Sequence, residues 1–293
     1  MPRLDRLFTL YGFNALRKFV SAKNPSIPIL MYHSVSDEPE SGHPYFWINT
    51  SRKRFAEQMQ FLKENDYTVI SLTEAVDILE TAKDEEDSSP RYVVLTFDDG
   101  YYDFLKHAWP ILEGHGFTAT MFVSTDFIGD SRIRFNGRES LTWSEVRKLR
   151  GQGVSFGSHT MSHPKLYGLP WKDVRRELLD SRLRLEDELQ TSASCFAYPY
   201  AFPQEDRSFV VRFRQELIDQ GYRTAVTTAI GLAQRGSDPL CLKRLPVNEG
   251  DDEQFLRAKL AGAYDWLYGA QYLSRRIKSK MSAIVTRKEL ELN

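Results

Sequence analysis

The sequence predicts an α/β fold whose mainly parallel sheet closes, or nearly closes, into a barrel. Three observations predict it. Apolar, β-branched runs of strand length alternate with amphipathic runs of helix length from Ile27 to about Ala261. The chain has 293 residues, and one α/β barrel commonly fills roughly 200–250. The residues able to do chemistry (His33, Asp98, Asp99, His159, His163 and Tyr200) fall at or just past the C-terminal ends of strand-like runs. That is where barrels and open α/β sheets build their active sites.

Each element has its own signal. Ile27–His33 is an apolar run that reads as the first core strand. Ser51 is placed to cap a helix through Asn65, with Phe55, Met59, Phe61 and Leu62 on its apolar side. Residues 67–71 form a short strand and 73–81 a helix, and the charged, Ser-rich stretch 83–90 reads as a surface loop. The strand Tyr92–Phe97 runs into Asp98-Asp99-Gly100, and a helix after it ends near Gly114 or Gly116. Strands follow at 118–123, 154–157, 194–197, 224–228 and 242–247, and helices at 143–150, 173–189, 209–220 and from 254 onward. The helix at 143–150 is closed by Gly151 and Gly153. The charge along 173–189 reads as a solvated helix face. No repeat, low-complexity tract or linker interrupts the body. The expected organisation is a helical extension at 1–26, one domain at 27–261 and a helical tail at 262–293.

Composition narrows the function. The formal net charge is −1, which gives no bulk electrostatic case for nucleic acid, and no nucleic-acid motif replaces it. Two cysteines, Cys195 and Cys241, make no disulfide framework and fit a reducing compartment. Apolar residues near the N-terminus are broken by Arg3, Arg6, Arg17 and Lys18, unlike the core of a signal peptide. No stretch approaches the ~18 apolar residues that span a bilayer. The sequence therefore reads as a cytoplasmic protein. Its basic amphipathic termini either pack on the body or touch the membrane at the cytoplasmic face.

The chemistry starts from Asp98 and Asp99. Adjacent carboxylates at the mouth of a buried strand repel each other and lose solvation, and a bound cation offsets that cost. His159 and His163 stand four apart, a spacing that puts both on one side of a helical turn. Asp99, His159 and His163 then form a two-histidine, one-carboxylate set for a divalent ion such as Zn²⁺, leaving a position open. Asp98 is the candidate general base and His33 the candidate general acid. The backbone N–H of Tyr200, following Pro199, is the candidate oxyanion donor. His43, His107 and His115 have no comparable setting. Trp143, Trp171 and the tyrosines read first as core. A haloacid-dehalogenase-like phosphatase needs carboxylates spaced Asp-x-Asp, and these are adjacent.

These motifs resemble a known family. Thr96-Phe97-Asp98-Asp99-Gly100, His159-Thr160-Met161-Ser162-His163 and Phe196-Ala197-Tyr198-Pro199-Tyr200 resemble the first three motifs of the polysaccharide deacetylases, the NodB-like domains of carbohydrate esterase family four. Pro28-Ile29-Leu30-Met31-Tyr32-His33-Ser34-Val35 resembles the opening of the poly-N-acetylglucosamine deacetylase subgroup. The resemblance implies a distorted, incomplete (β/α) barrel and metal-dependent removal of acetyl groups from N-acetyl sugars. It implies Asp98 as base, Asp99, His159 and His163 as metal ligands, and Tyr200 as oxyanion donor. It implies His33 as acid, and substrate contact at Tyr198, Pro199 and Tyr200. Two departures stand out. Many members carry an arginine shortly before the Pro-Tyr pair, where Ala197 and Tyr198 stand here, and Arg244 is expected to take that role. Ala201 stands where a glycine usually follows the tyrosine. The expected function is an N-deacetylase of an amino sugar in a polysaccharide, oligosaccharide or glycolipid precursor. The alternatives are a hydrolase of another amide or ester on the same scaffold, and a non-catalytic glycan-binding member of the fold.

Overall fold

A computed structural model describes residues 3–13, 25–81 and 90–277. Eight parallel strands make the central sheet: β1 (Ile29–Tyr32), β2 (Tyr67–Ile70), β3 (Arg91–Phe97), β4 (Thr120–Val123), β5 (Ser155–Ser158), β6 (Cys195–Ala197), β7 (Thr224–Ile230) and β8 (Leu242–Pro246). Their order is β1-β8-β7-β6-β5-β4-β3-β2, and β1 also pairs with β3. Seven strands therefore close into a ring. Val94 of β3 lies opposite Ile29 and also opposite Ile70, so β2 sits on the other side of β3 from β1, outside the ring. The barrel is closed one strand short of eight.

Alternation along the strands sorts the side chains. Ile29, Val94, Phe122, Ala197, Val226 and Leu242 come from six ring strands and pack together as the barrel interior. Gly157 of β5 belongs to the same layer, and a Cβ there would lie 2.7 Å from the Phe122 ring. Leu30, Leu95 and Met121 point outward beneath the helices. Those helices are α1 (Arg52–Glu64), α2 (Leu72–Thr81), α3 (Trp109–His115), α4 (Trp143–Gly151), α5 (Trp171–Leu189), α6 (Arg207–Asp219) and α7 (Glu253–Leu260). Ser51 caps α1, its side chain accepting from Arg54 N at 3.2 Å. Gly116 ends α3 at φ 69°.

Several details depart from the sequence reading. Pro28 interrupts the first apolar run, so Ser26–Ile27 pairs antiparallel with Ala233–Gln234 and the barrel strand starts only at Ile29. An antiparallel ribbon, Arg134–Phe135 with Arg138–Glu139, is inserted between β4 and α4. The 173–189 region is not a wholly solvated face, because Glu177 is buried with Val174, Leu178, Ser181 and Leu185. Cys195 and Cys241 are free thiols. Trp143 is fully buried in the core. The expected loop at 83–89 and the basic residues Lys278 and Lys280 lie outside the described residues. No described helix is long and apolar enough to cross a membrane.

Candidate active site

The C-terminal ends of β1, β3, β5 and β6 and the middle of β8 bring His33, Asp98, Asp99, His159, His163, Tyr200 and Arg244 to one place. Asp98 still belongs to the ladder, its N–H donating to Tyr32 O at 3.0 Å. Asp99 and Gly100 then adopt φ of 75° and 70°. Two left-handed residues in succession turn the chain and send the adjacent carboxylates in different directions. A Cβ on Gly100 would lie 2.8 Å from a Val123 methyl, which is one reason the position is glycine.

Asp98 points into the barrel. Its Oδ1 and Oδ2 each accept from Arg244, from Nη1 and Nη2, at 2.7 Å. Arg244 is fully buried and also donates from Nε to Thr227 O at 3.0 Å and from Nη1 to Thr96 Oγ1 at 3.2 Å. A register shift between β7 and β8 falls around this contact and leaves Thr227 O to the guanidinium. Burial alone would push the Asp98 carboxyl up. The Arg244 guanidinium, followed by the His159 imidazole, outweighs burial and holds the carboxyl well below the usual carboxylate range. His33 Nε2 and His159 Nε2 each stand 4.0 Å from Asp98 Oδ2.

Asp99 faces the histidine pair. Its Oδ1 lies 3.6 Å from His159 Nε2 and 3.4 Å from His163 Nε2. The ligand atoms of the three residues all lie within 4.8 Å of one another. Asp99 Oδ1 is buried and has no hydrogen-bond partner among the described residues. His159 Nδ1 is 2.8 Å from Ala197 O. A carbonyl can only accept, so Nδ1 carries the proton and Nε2 turns its lone pair toward Asp99. Burial, reinforced by the neighbouring His159, pushes His163 down to about 4, so its ring is neutral at neutral pH. An orphaned carboxylate oxygen facing two imidazole nitrogens fits a divalent cation, and the donor set suits Zn²⁺ or its neighbours.

The histidines are not on a helical turn, as their spacing suggested. They bracket a loop in which Thr160 and His163 have φ of 69° and 56°. Glu177 of α5 holds that loop. It accepts from Met161 N and Ser162 N at 2.9 Å and from Ser162 Oγ at 2.7 Å. Thr160 N donates to Ser158 Oγ at 3.1 Å, and His163 N to Thr160 Oγ1 at 3.0 Å. Sequence reasoning missed Glu177. The available signal was its place on the apolar stripe 174, 178, 181, 185 of an otherwise charged helix.

The third motif divides. Tyr200, at φ 56°, is exposed and its ring lies 4.7 Å from that of His163. Its turn is strapped by Thr228 Oγ1, which donates to Tyr200 O and accepts from Phe202 N, both at 2.8 Å. Pro199 is buried. Tyr198 does not reach the cleft. Its ring is buried against Phe202 and Phe213 at 4.9 and 5.2 Å, beneath α6. The inserted ribbon supplies a wall the sequence did not reveal, with Phe135 5.1 Å from the His163 ring.

A family model for polysaccharide deacetylase matches residues 85–225. YxkH of Bacillus subtilis strain 168, named as a polysaccharide deacetylase, is 30% identical over 232 residues, covering 78% of this chain and 74% of that protein. A poly-β-1,6-N-acetyl-D-glucosamine N-deacetylase of Escherichia coli O157:H7 is 30% identical over 157 residues, covering 49% of this chain and only 22% of that longer protein. The deacetylase PplD of Streptococcus pyogenes, solved with acetate, matches with a TM-score of 0.67 at 25% identity, over 81% of this chain and 99% of that one. IcaB of Ammonifex degensii has the same fold, with a TM-score of 0.67 at 22% identity over 83% of this chain and 98% of that one. The chain belongs to the polysaccharide deacetylase family.

Proposed function

We propose that the protein is a metal-dependent hydrolase that removes N-acetyl groups from an amino sugar within a polysaccharide, oligosaccharide or glycolipid precursor. The observation that carries the reading is the orphaned Asp99 Oδ1 between His159 and His163, set beside a separately paired Asp98. Relatives named for deacetylation of poly-β-1,6-N-acetyl-D-glucosamine support the substrate class.

Asp99, His159 and His163 would hold the cation. When bound, it would polarise the acetamide carbonyl and make nearby water more acidic. The remaining work falls to the chain. Asp98 takes a proton from the attacking water, and its pair with Arg244 keeps it ionised and oriented for that step. The Tyr200 N–H donates to the oxygen that gains charge at the acetyl carbon. His33, whose Nε2 stands 4.0 Å from Asp98 Oδ2, donates a proton to the departing sugar amine. The Tyr200 ring is open to solvent and offers the sugar a face to stack on.

The test is acetate release from N-acetylglucosamine oligomers. Release should be abolished by Asp98→Asn and by chelation, and Zn²⁺ should restore it to the chelated enzyme only. Turnover that survives both treatments would sink the proposal. Turnover confined to a different amide or ester would move the substrate assignment and leave the residue roles in place.

A further inference from the structure

Asp103 lies four residues after Asp99 and five after Asp98. It starts the helical segment Phe104–Ala108 but gives that segment no side-chain cap, the usual work of an aspartate in such a place. Its carboxylate turns instead to the chain just past His33. Ser34 Oγ donates to Asp103 Oδ2 at 2.5 Å, and Val35 N donates to Oδ1 at 3.2 Å. The Asp103 side chain is only 15% exposed, and Arg138 Nη1, 3.8 Å from Oδ2, is a loose partner. Burial pushes the carboxyl up against the pull of its two donors. A carboxylate is thus kept out of water largely by neutral donors, at a cost in solvation, and what it fixes in return is Ser34 and Val35.

The residue before Ser34 is the one that gains. His33 Nε2 stands 4.0 Å from Asp98 Oδ2, too far for a hydrogen bond, so the ring is aimed by its backbone. On one side of His33, Tyr32 lies opposite Phe97 in the sheet, and its carbonyl accepts from Asp98 N at 3.0 Å. On the other side, Asp103 holds Ser34 and Val35. Both clamps come from the one segment 97–103, which also carries Asp98 and Asp99. Pairing of Ser34–Val35 with Asn49–Thr50 steadies the same stretch, but it ties it to a loop and to no residue of the site. The Asp103 bonds therefore set the candidate acid against the candidate base without help from a cation.

We propose that Asp103 is a positioning residue for His33, holding the backbone after it so that the ring reaches the nitrogen of the departing amine. The clamp stands on its own geometry. The step it serves, proton donation by His33, rests on the deacetylase reading.

The test compares two substrates of the Zn²⁺-loaded full chain. N-acetylglucosamine oligomers release an amine that needs a proton, whereas para-nitrophenyl acetate releases a phenolate that does not. Asp103→Ala should lower kcat on the oligomers about 10–100-fold and leave KM and ester turnover within about twofold. Asp103→Asn should recover most of that loss, because its amide can accept from Val35 N and donate to Ser34 Oγ. Ser34→Ala, which cuts one bond of the clamp, should show the same selective loss to a smaller extent and serves if Asp103→Ala does not fold. With His33→Ala already present, Asp103→Ala should cost nothing further on the oligomers. In crystals of Asp103→Ala or Ser34→Ala, the His33 ring should leave its place beside Asp98. An unchanged oligomer kcat, equal losses on both substrates, no recovery in Asp103→Asn, a full further loss beside His33→Ala, or an unmoved His33 ring would each overturn the proposal. A native protein that releases no acetate from the oligomers would sink the deacetylase reading instead, and the crystal comparison would still decide the clamp.

Discussion

Arg244→Met isolates the contact on which the base depends. Methionine fills much of the aliphatic volume, so the main loss is the guanidinium. Asp98 is then buried with both carboxylate oxygens unpaired, where they had two bonds of 2.7 Å. Removing one partner of a buried pair costs about 3–5 kcal/mol, because the remaining charge is stranded. The pH dependence follows from the direction of the Asp98 shift. In the native protein the group is held below its ordinary value. It therefore contributes stability above roughly pH 4, lost as pH falls through the depressed folded value. In the variant the guanidinium no longer offsets burial and only the His159 and His33 rings still oppose it, so the Asp98 carboxyl moves up, and acidification protonates it earlier and removes the stranded charge. Urea unfolding of the chelated protein should show the full loss near pH 7, shrinking by about 1 kcal/mol or more by about pH 5. Asp98→Asn added to Arg244→Met should recover much of the stability, since a neutral amide no longer strands a charge. A loss below about 1 kcal/mol, or one independent of pH, would refute the reasoning.

Other consequences can be measured as directly. Glu177→Ala frees the loop between the histidines and should weaken Zn²⁺ binding about 10–100-fold by calorimetric titration. An unchanged affinity would mean the loop needs no such anchor. Gly157→Ala should cost about 1–3 kcal/mol in unfolding free energy, because its Cβ would lie 2.7 Å from the Phe122 ring and 2.8 Å from Cys195 O. At Thr160, with φ 69°, glycine should be more stable than alanine by roughly 0.5–1 kcal/mol, reversing the usual order. An ordinary alanine advantage there would show that the loop relaxes.

What the sequence made legible depended on periodicity and punctuation. The barrel strands are short apolar runs whose ends carry polar residues, so the expected strands lie within a few residues of the observed ones. Pro28 misled, because a proline inside an apolar run looks tolerable until its missing N–H has to be placed in a ladder. The misses at the site share another cause. Four residues between histidines is a helical spacing, and a loop can use the same number when other groups fix its backbone. Here the fixing groups are remote in sequence: Glu177, and the N–H groups of Thr125 and Asp126, which donate to Thr160 O and Met161 O at 3.3 and 3.0 Å. Tyr198 and Tyr200 show the same limit, since which of two tyrosines faces the cleft is decided by the aromatic cluster under α6.

Backbone strain connects these misses to function. Among the described residues other than glycine, seven have positive φ, and four of them are Asp99, Thr160, His163 and Tyr200. Left-handed backbone is costly for such side chains, most of all for the β-branched Thr160. Propensity therefore argues against these conformations at the very positions where the chemistry sits. The surrounding bonds from Glu177, Ser158 and Thr228 hold them, and a relaxed loop would aim the same side chains elsewhere. The strain turns Asp99 away from Asp98 and presents it to the histidines, so that one carboxylate stays paired with Arg244 and the other keeps an oxygen with no hydrogen-bond partner among the described residues. Two aspartates side by side in sequence thereby acquire opposite surroundings, which is the condition for dividing base and ligand between them.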